Sequence, residues 1–316
     1  MPRHSELTTA QKDKNDEFYT QLEDIEKELC NYTDLFQGKS VYCNCDDPEQ
    51  SNFWKYFADN FDTLKLNRLV ATFIDKDRPA VKTEIIRDAK TGEKGTPAIT
   101  PLTQHGDFRS EECRAILQKA DIVVTNPPFS LFREYIAQLF AYQKQFLVMG
   151  NMNAVTYKEI FPLIKTNKLW YGPSISSGDR EFRVPNSYPL TAAGSRIDEA
   201  GNKFVRVKGI RWFTNLDHMK RHERLQLTKT YADAPDAYPH YINCNAINVD
   251  KTSYIPVDYQ GVMGVPITFL DKYCPEQFEL IRFRHGDDGK DLCYQTTDGV
   301  KTPYFRILIQ PKPDIS

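Results

Sequence analysis

Several features that would point to common function classes are missing from this chain. Its 316 residues contain no apolar run near the roughly 20 residues of a membrane span. Its start, Met1-Pro2-Arg3-His4-Ser5, opens no apolar signal region, so a cytoplasmic protein with no membrane partner is expected. The seven cysteines (30, 43, 45, 113, 244, 274 and 293) are scattered, and no Cys-x-x-Cys pair occurs. Only Cys43 and Cys45 are close, and on a strand they would share a face. Reduced core thiols and no metal site are therefore expected. Charge of one sign is also lacking: 41 Lys and Arg stand against 43 Asp and Glu, a net charge of −2. A face for nucleic acid would have to be a local basic patch. Lys203, Arg206, Lys208 and Arg211 are candidates, as are Lys220, Arg221 and Arg224, and Arg282 with Arg284. Such clusters also serve as ordinary solvated faces. No internal repeat is present.

What the chain does have is a hydrophobic content of 40% with 12% aromatics, enough for a large core and room for a main domain plus a smaller one. The most informative stretch is Asp121-Ile-Val-Val-Thr-Asn-Pro-Pro-Phe-Ser130. Its β-branched run predicts a buried strand. Proline lacks an N–H, so the strand must stop at Asn126, and each residue before a proline is held extended. A helix is predicted over 131–142, with Leu131, Tyr135, Leu139 and Tyr142 on one face. The motif thus lies at the carboxyl end of a strand, where open α/β sheets bind ligands. Such a corner suits chemistry on an exocyclic amine. Asn126 can accept one amine hydrogen on its side-chain oxygen and Pro127 the other on its carbonyl, while Phe129 can stack on a base. The same residues also suit a proline-rich turn after a core strand.

Elsewhere the pattern is strand, polar loop, helix. Residues 1–15 are polar and read as mobile. A helix is predicted over 22–29, with Thr20 and Glu23 as a capping box or, alternatively, Tyr19-Thr20 covering one end of a ligand. A strand over 40–45 runs into Asp46-Asp47 and then a helix over 53–61, capped by Ser51 or Asn52. The loop between them lacks the glycines that let a backbone approach a nucleotide. A second strand, 68–74, ends at Asp75-Lys76-Asp77, where a carboxylate could hold ribose hydroxyls or simply face water. Residues 78–104 read as an irregular excursion carrying a hairpin. Asp107-Phe108 precedes a helix over 110–120 and could meet an adenine, or end a turn and fill core. Further strands are expected over 145–151 and 209–216, with a polar, lid-like loop at Ser174–Arg180. From about residue 218 repeated Tyr, Pro and Asn suggest loops and short strands.

The order Phe18-Tyr19-Thr20, first strand with Asp46-Asp47, Asp107-Phe108 and Asn126-Pro127-Pro128-Phe129 resembles the amino-methyltransferases that use S-adenosylmethionine. More closely it resembles the EcoRI-type adenine-specific DNA methyltransferases. The stretches that carry the likeness are Asp16–Gln21, Val41–Pro48 with Ser51–Phe53, Gly106–Ser110, Asp121–Phe132, Thr214–Asp217, Asn245–Val249, Gly261–Leu270, Pro275–Ile281 and Pro303–Ile309.

That resemblance implies an α/β fold: a doubly wound, mostly parallel Rossmann-like sheet with a smaller C-terminal α+β region. It implies a methyltransferase domain over 1–217 and a DNA-recognition region over 218–316. It assigns the target-base pocket to Asn126, Pro127, Pro128 and Phe129. It assigns S-adenosylmethionine binding to Tyr19, Thr20, Asn44, Asp46, Asp47, Asp75, Asp107 and Phe108. Asn44-Cys45-Asp46-Asp47 stands where the wider family carries glycines, as it does in the EcoRI-type subfamily. The activity implied is transfer of a methyl group to N6 of an adenine flipped from a specific site in double-stranded DNA, by a monomer serving a restriction–modification pair. Two other readings stand beside it: a methyltransferase of this fold acting on protein glutamine or RNA, and a catalytically silent DNA-binding relative.

Overall fold

The structure, a computed structural model, describes residues 18–74, 79–190 and 194–313. The expected mobile segment 1–15 and the carboxylates Asp75 and Asp77 lie outside the described residues. The chain divides into two compact units. One holds the residues up to Glu159 together with Tyr171–Asp217, and the other holds Ile160–Trp170 and the chain from His218 onward.

The first unit begins with β1 (Tyr19–Thr20) and α1 (Leu22–Leu29), then β2 (Ser40–Cys43), α2 (Asn52–Asp59) and β3 (Arg68–Thr72). It continues with β4 (Val81–Ile86), β5 (Ala98–Pro101), α3 (Glu111–Lys119), β6 (Ile122–Thr125), α4 (Phe132–Ala141) and β7 (Gln145–Asn151). It is completed from Tyr171 onward by the second residue of β8 (Trp170–Tyr171), then β9 (Asp179–Val184), β10 (Arg196–Ile197), β11 (Lys203–Lys208) and β12 (Ile210–Thr214).

The result is a mixed α/β unit around an eight-stranded sheet of order β5-β4-β3-β2-β6-β7-β12-β8. Its middle four strands, β3, β2, β6 and β7, are parallel. The antiparallel strands β4 and β12 pair outside them. β2 and β6 are buried along their whole length, as strands covered on both faces must be, which is why each is apolar apart from one terminal hydroxyl residue, Ser40 in β2 and Thr125 in β6. A separate antiparallel sheet, β1-β9-β11-β10, carries the entry strand β1.

Local signals explain the helix starts. Ser51 caps α2, accepting from Phe53 N at 3.1 Å, and Ser110 caps α3 through Cys113 N at 3.2 Å. Three expectations are corrected. Thr20 does not cap α1, because it lies in β1 and Gln21 takes the cap position without a side-chain bond. The hairpin expected within 78–104 is present as β4 and β5, but it is not an excursion, because β4 pairs with β3 and extends the main sheet. The first strand ends at Cys43 rather than 45, where Asn44 turns its side chain toward Tyr135.

The second unit contains α5 (Phe161–Lys165), β13 (Ile247–Asn248), β14 (Met263–Pro266), β15 (Phe278–Phe283), the hairpin β16 (Tyr294–Thr296) and β17 (Gly299–Lys301), and β18 (Arg306–Pro311). Its sheet has the order β13-β14-β18-β15. Among the described residues no helix is long and apolar enough to cross a membrane, no cluster could hold a metal ion, and all seven cysteines are free.

Candidate active site

The parallel strands β2, β3 and β6 end side by side, and the polar residues predicted from sequence gather where their chains emerge. Beyond Thr125, Pro127 is buried and Asn126 half-buried. Pro128 holds φ −53° and ψ 124°, extended as proline chemistry requires, before a 3₁₀ turn over Phe129–Leu131 leads into α4. The Asn126 side chain donates through Nδ2 to the carbonyl of Phe18 at 2.6 Å. Its Oδ1 is buried and has no hydrogen-bond partner. A buried acceptor without a donor costs about 1–3 kcal/mol, a cost that a donated hydrogen would offset. Phe129 stacks on Phe18, with ring centroids 5.6 Å apart and planes 18° from parallel. Phe182 of β9 closes the cluster edge-on, 6.4 Å from Phe129.

The loop after β2 is built from polar side chains instead of glycines. Asp46 is buried, accepting from Ser51 Oγ at 2.7 Å and from Thr125 Oγ1. Burial pushes its carboxyl up to about 6, against which the two hydroxyl donors act. Its charge is met by neutral hydroxyls rather than by a cation, so a cationic ligand would be welcome beside it. Asp47 is buried and accepts from Glu49 N at 3.0 Å. Asn44 is buried and accepts from the phenol of Tyr135. Desolvation holds that phenol protonated, well above the usual tyrosine range.

Gly106 shapes the next wall. At φ +69°, a Cβ there would lie 2.0 Å from the Phe73 carbonyl, so only glycine allows the chain to pass the end of β3 this closely. Phe108 is buried and meets Tyr135 edge-on at 5.0 Å. Asp107 is gripped by Arg109, whose Nη2 donates at 2.6 Å and whose Nε donates at 2.9 Å. That guanidinium holds the carboxyl below the usual range. In β1, Thr20 is buried with its hydroxyl donating to Met149 Sδ at 3.2 Å, while Arg183 lies over the Tyr19 ring at 5.2 Å.

The profile of the family described as adenine-specific methyltransferase EcoRI matches residues 6–312. The chain belongs to the EcoRI family of adenine-specific methyltransferases. The type II methyltransferase M.EcoRI of Escherichia coli is 50% identical over 97% of this chain and 96% of its own. M.MpnI of Mycoplasma pneumoniae is 40% identical over 93% of this chain and 88% of its own. M.MgeORF184P of Mycoplasma genitalium is 39% identical over 95% and 91%. No solved structure matches. The chain is thus an adenine-specific methyltransferase, and the protein-glutamine, RNA and catalytically silent readings are set aside.

In this EcoRI-family enzyme the described residues of the expected set converge from four chain segments, around 19–20, 44–47, 107–108 and 126–129. Sequence reasoning missed several of their neighbours. Thr125 reads only as strand from sequence, although a hydroxyl ending an otherwise aliphatic run is itself a signal. Phe18 supplies a carbonyl, which no side-chain pattern announces. Asn52 reads from sequence as an alternative cap to Ser51, yet its Nδ2 donates to the Thr20 carbonyl at 2.7 Å. One proposed basic patch is also corrected. Arg211 is buried, donating to the carbonyls of Ile210 at 2.8 Å and Ser176 at 3.0 Å, so it is no surface charge. Arg282 and Arg284 are likewise engaged, by Asp287 and Asp291.

Proposed function

We propose that this chain methylates N6 of an adenine flipped out of a specific site in double-stranded DNA, as the modification enzyme of a type II restriction–modification pair. The observation that carries the reading is the buried, unpartnered Oδ1 of Asn126 beside the Pro127 backbone. An adenine amine is a poor nucleophile because its lone pair is delocalised into the ring. Two acceptors aimed at its two hydrogens favour the pyramidal, nucleophilic form. Asn126 and Pro127 supply them, Pro128 fixes the turn, and Phe129 offers an aromatic face to the flipped base. Stacking of that kind is worth about 1–3 kcal/mol, comparable to the few kcal/mol that unstacking costs. The proton leaves to water after transfer, since the motif itself contains no His or Glu.

The residues fit S-adenosylmethionine as cofactor. Asp46 is a buried carboxylate lacking a cationic partner, and Asn44 and Asp47 lie on the same loop. These three would hold the methionyl part, with Tyr19 and Thr20 at that end. Asp107 and Phe108 would hold the adenine part, and Asp75 the ribose. When bound, the cofactor supplies a methyl group already activated on a sulfonium. The fold is then a doubly wound Rossmann-like methyltransferase sheet within residues 1–217. The α+β region over 218–316 recognises DNA, and the enzyme works as a cytoplasmic monomer.

The test is incubation of the protein with methyl-labelled S-adenosylmethionine and plasmid DNA, followed by digestion to nucleosides. Label in N6-methyladenosine of the deoxy series is expected. Label confined to cytosine, or none in DNA, would overturn the proposal.

A further inference from the structure

Asn126 has two chemically different ends, and its function depends on which end faces the substrate. An amine hydrogen can be accepted by Oδ1 but only repelled by Nδ2. The orientation is settled by the Phe18 carbonyl at 2.6 Å, because a carbonyl cannot donate and so must face the NH2 group. Oδ1 is thereby turned away, buried and unpaired. The catalytic amide is therefore only as well oriented as the Phe18 carbonyl is fixed.

Phe18 sits just before β1, a strand of two residues, too short to hold itself. β1 is paired with β9 through Tyr19 opposite Arg183 and Thr20 opposite Phe182. A further restraint on its backbone comes from Asn52, at the first position of α2, whose Nδ2 donates to the Thr20 carbonyl at 2.7 Å. Asn52 is not needed for the helix start, because Ser51 Oγ already caps it. Its side chain is free to clamp β1.

We infer that Asn52 is a positioning residue for methyl transfer: by clamping the Thr20 carbonyl it fixes the Phe18 carbonyl, which turns the acceptor end of Asn126 toward the target amine. This rests on Asn126 being the amine acceptor. Without the clamp, β1 shifts, the Asn126 NH2 loses its partner, and the amide samples the orientation that opposes the amine.

Two substitutions remove the clamp: Asn52→Ala, and Asn52→Asp, which keeps the shape but has no donor. Two readouts follow. First, water-exchange rates of the Asn126 side-chain NH2 are measured by NMR on the deuterated, 15N-labelled full chain without ligand, its signals identified by their loss in Asn126→Asp. They should rise about tenfold in either Asn52 variant, the change equivalent to losing one hydrogen bond of about 1.4 kcal/mol. Second, kcat should fall about tenfold, with KM for DNA within about twofold. A purely structural Asn52 would lower the unfolding temperature without this split. Unchanged Asn126 exchange in both variants would overturn the inference, as would a fall in kcat/KM carried by KM alone. Failure of the underlying reading looks different: Asn126→Ala would keep its turnover whatever the exchange rates show.

Discussion

Asp46 and Thr125 join the ends of the two central parallel strands: the hydroxyl that closes β6 donates to the carboxylate that follows β2. The bond ties the loop after β2 to the residue immediately before Asn126. It also places a buried carboxylate with no cationic partner at the centre of the site, and the pH behaviour of the enzyme follows from it.

Burial raises the folded-state pKa of Asp46 to about 6, above its unfolded value near 4. Between about pH 4 and 6 the folded chain therefore keeps a proton that the unfolded chain has lost. The contribution of this group to stability falls as pH rises through that window, by about 3 kcal/mol in total, and stays lost above it. Asp46→Asn should flatten the dependence. Unfolding of the ligand-free protein at pH 4, 5, 6 and 7.5 should show the variant gaining on wild type as pH rises. Parallel curves would contradict the assignment. Affinity for S-adenosylmethionine, measured by calorimetry, should increase from pH 5 to 7 in wild type, as the carboxylate ionises to meet a cation, and not in the variant.

Phe129 has a different dependence. Its ring stacks on Phe18 and remains half-buried, so it can serve base stacking only with the part left open. Phe129→Ala should weaken stabilisation of the extrahelical base by about 1–3 kcal/mol. A DNA duplex with 2-aminopurine at the target position should lose most of its fluorescence rise on binding. Phe129→Tyr, which keeps the ring, should retain it.

Gly106 carries the close passage beneath Asp107-Phe108. Gly106→Ala combines a positive φ with a Cβ 2.0 Å from a backbone oxygen, a clash no side-chain rotation relieves. Denaturant titration should show a loss of about 3 kcal/mol or more. Gly92→Ala, at φ +73° in open space, supplies the comparison and should cost less because only backbone strain is involved.

How much of this was legible in the sequence depends on whether the information was local. The strand–Asn126-Pro-Pro-Phe129 corner could be read because proline dictates backbone geometry wherever it stands. Helix starts at Ser51 and Ser110 were legible for the same reason. The pairing of β1 with β9 was not, because its partners stand more than 150 residues apart, as Tyr19 and Arg183 do. Of the two readings of Thr20, the cap fails because sequence cannot show that its hydroxyl turns to Met149 and its carbonyl to Asn52. The Phe18 carbonyl was invisible in principle, since every residue has one and only the fold selects which matters.

The role of Asn126 is tested most directly by single-turnover methyl transfer in Asn126→Ala, with S-adenosylmethionine binding measured on the same preparation. Transfer should fall by roughly 10²–10³-fold or more, the loss typical of a removed transition-state hydrogen-bonding group, while cofactor affinity changes by no more than a few-fold. Near-normal transfer by Asn126→Ala would show that the corner after β6 is not the base pocket.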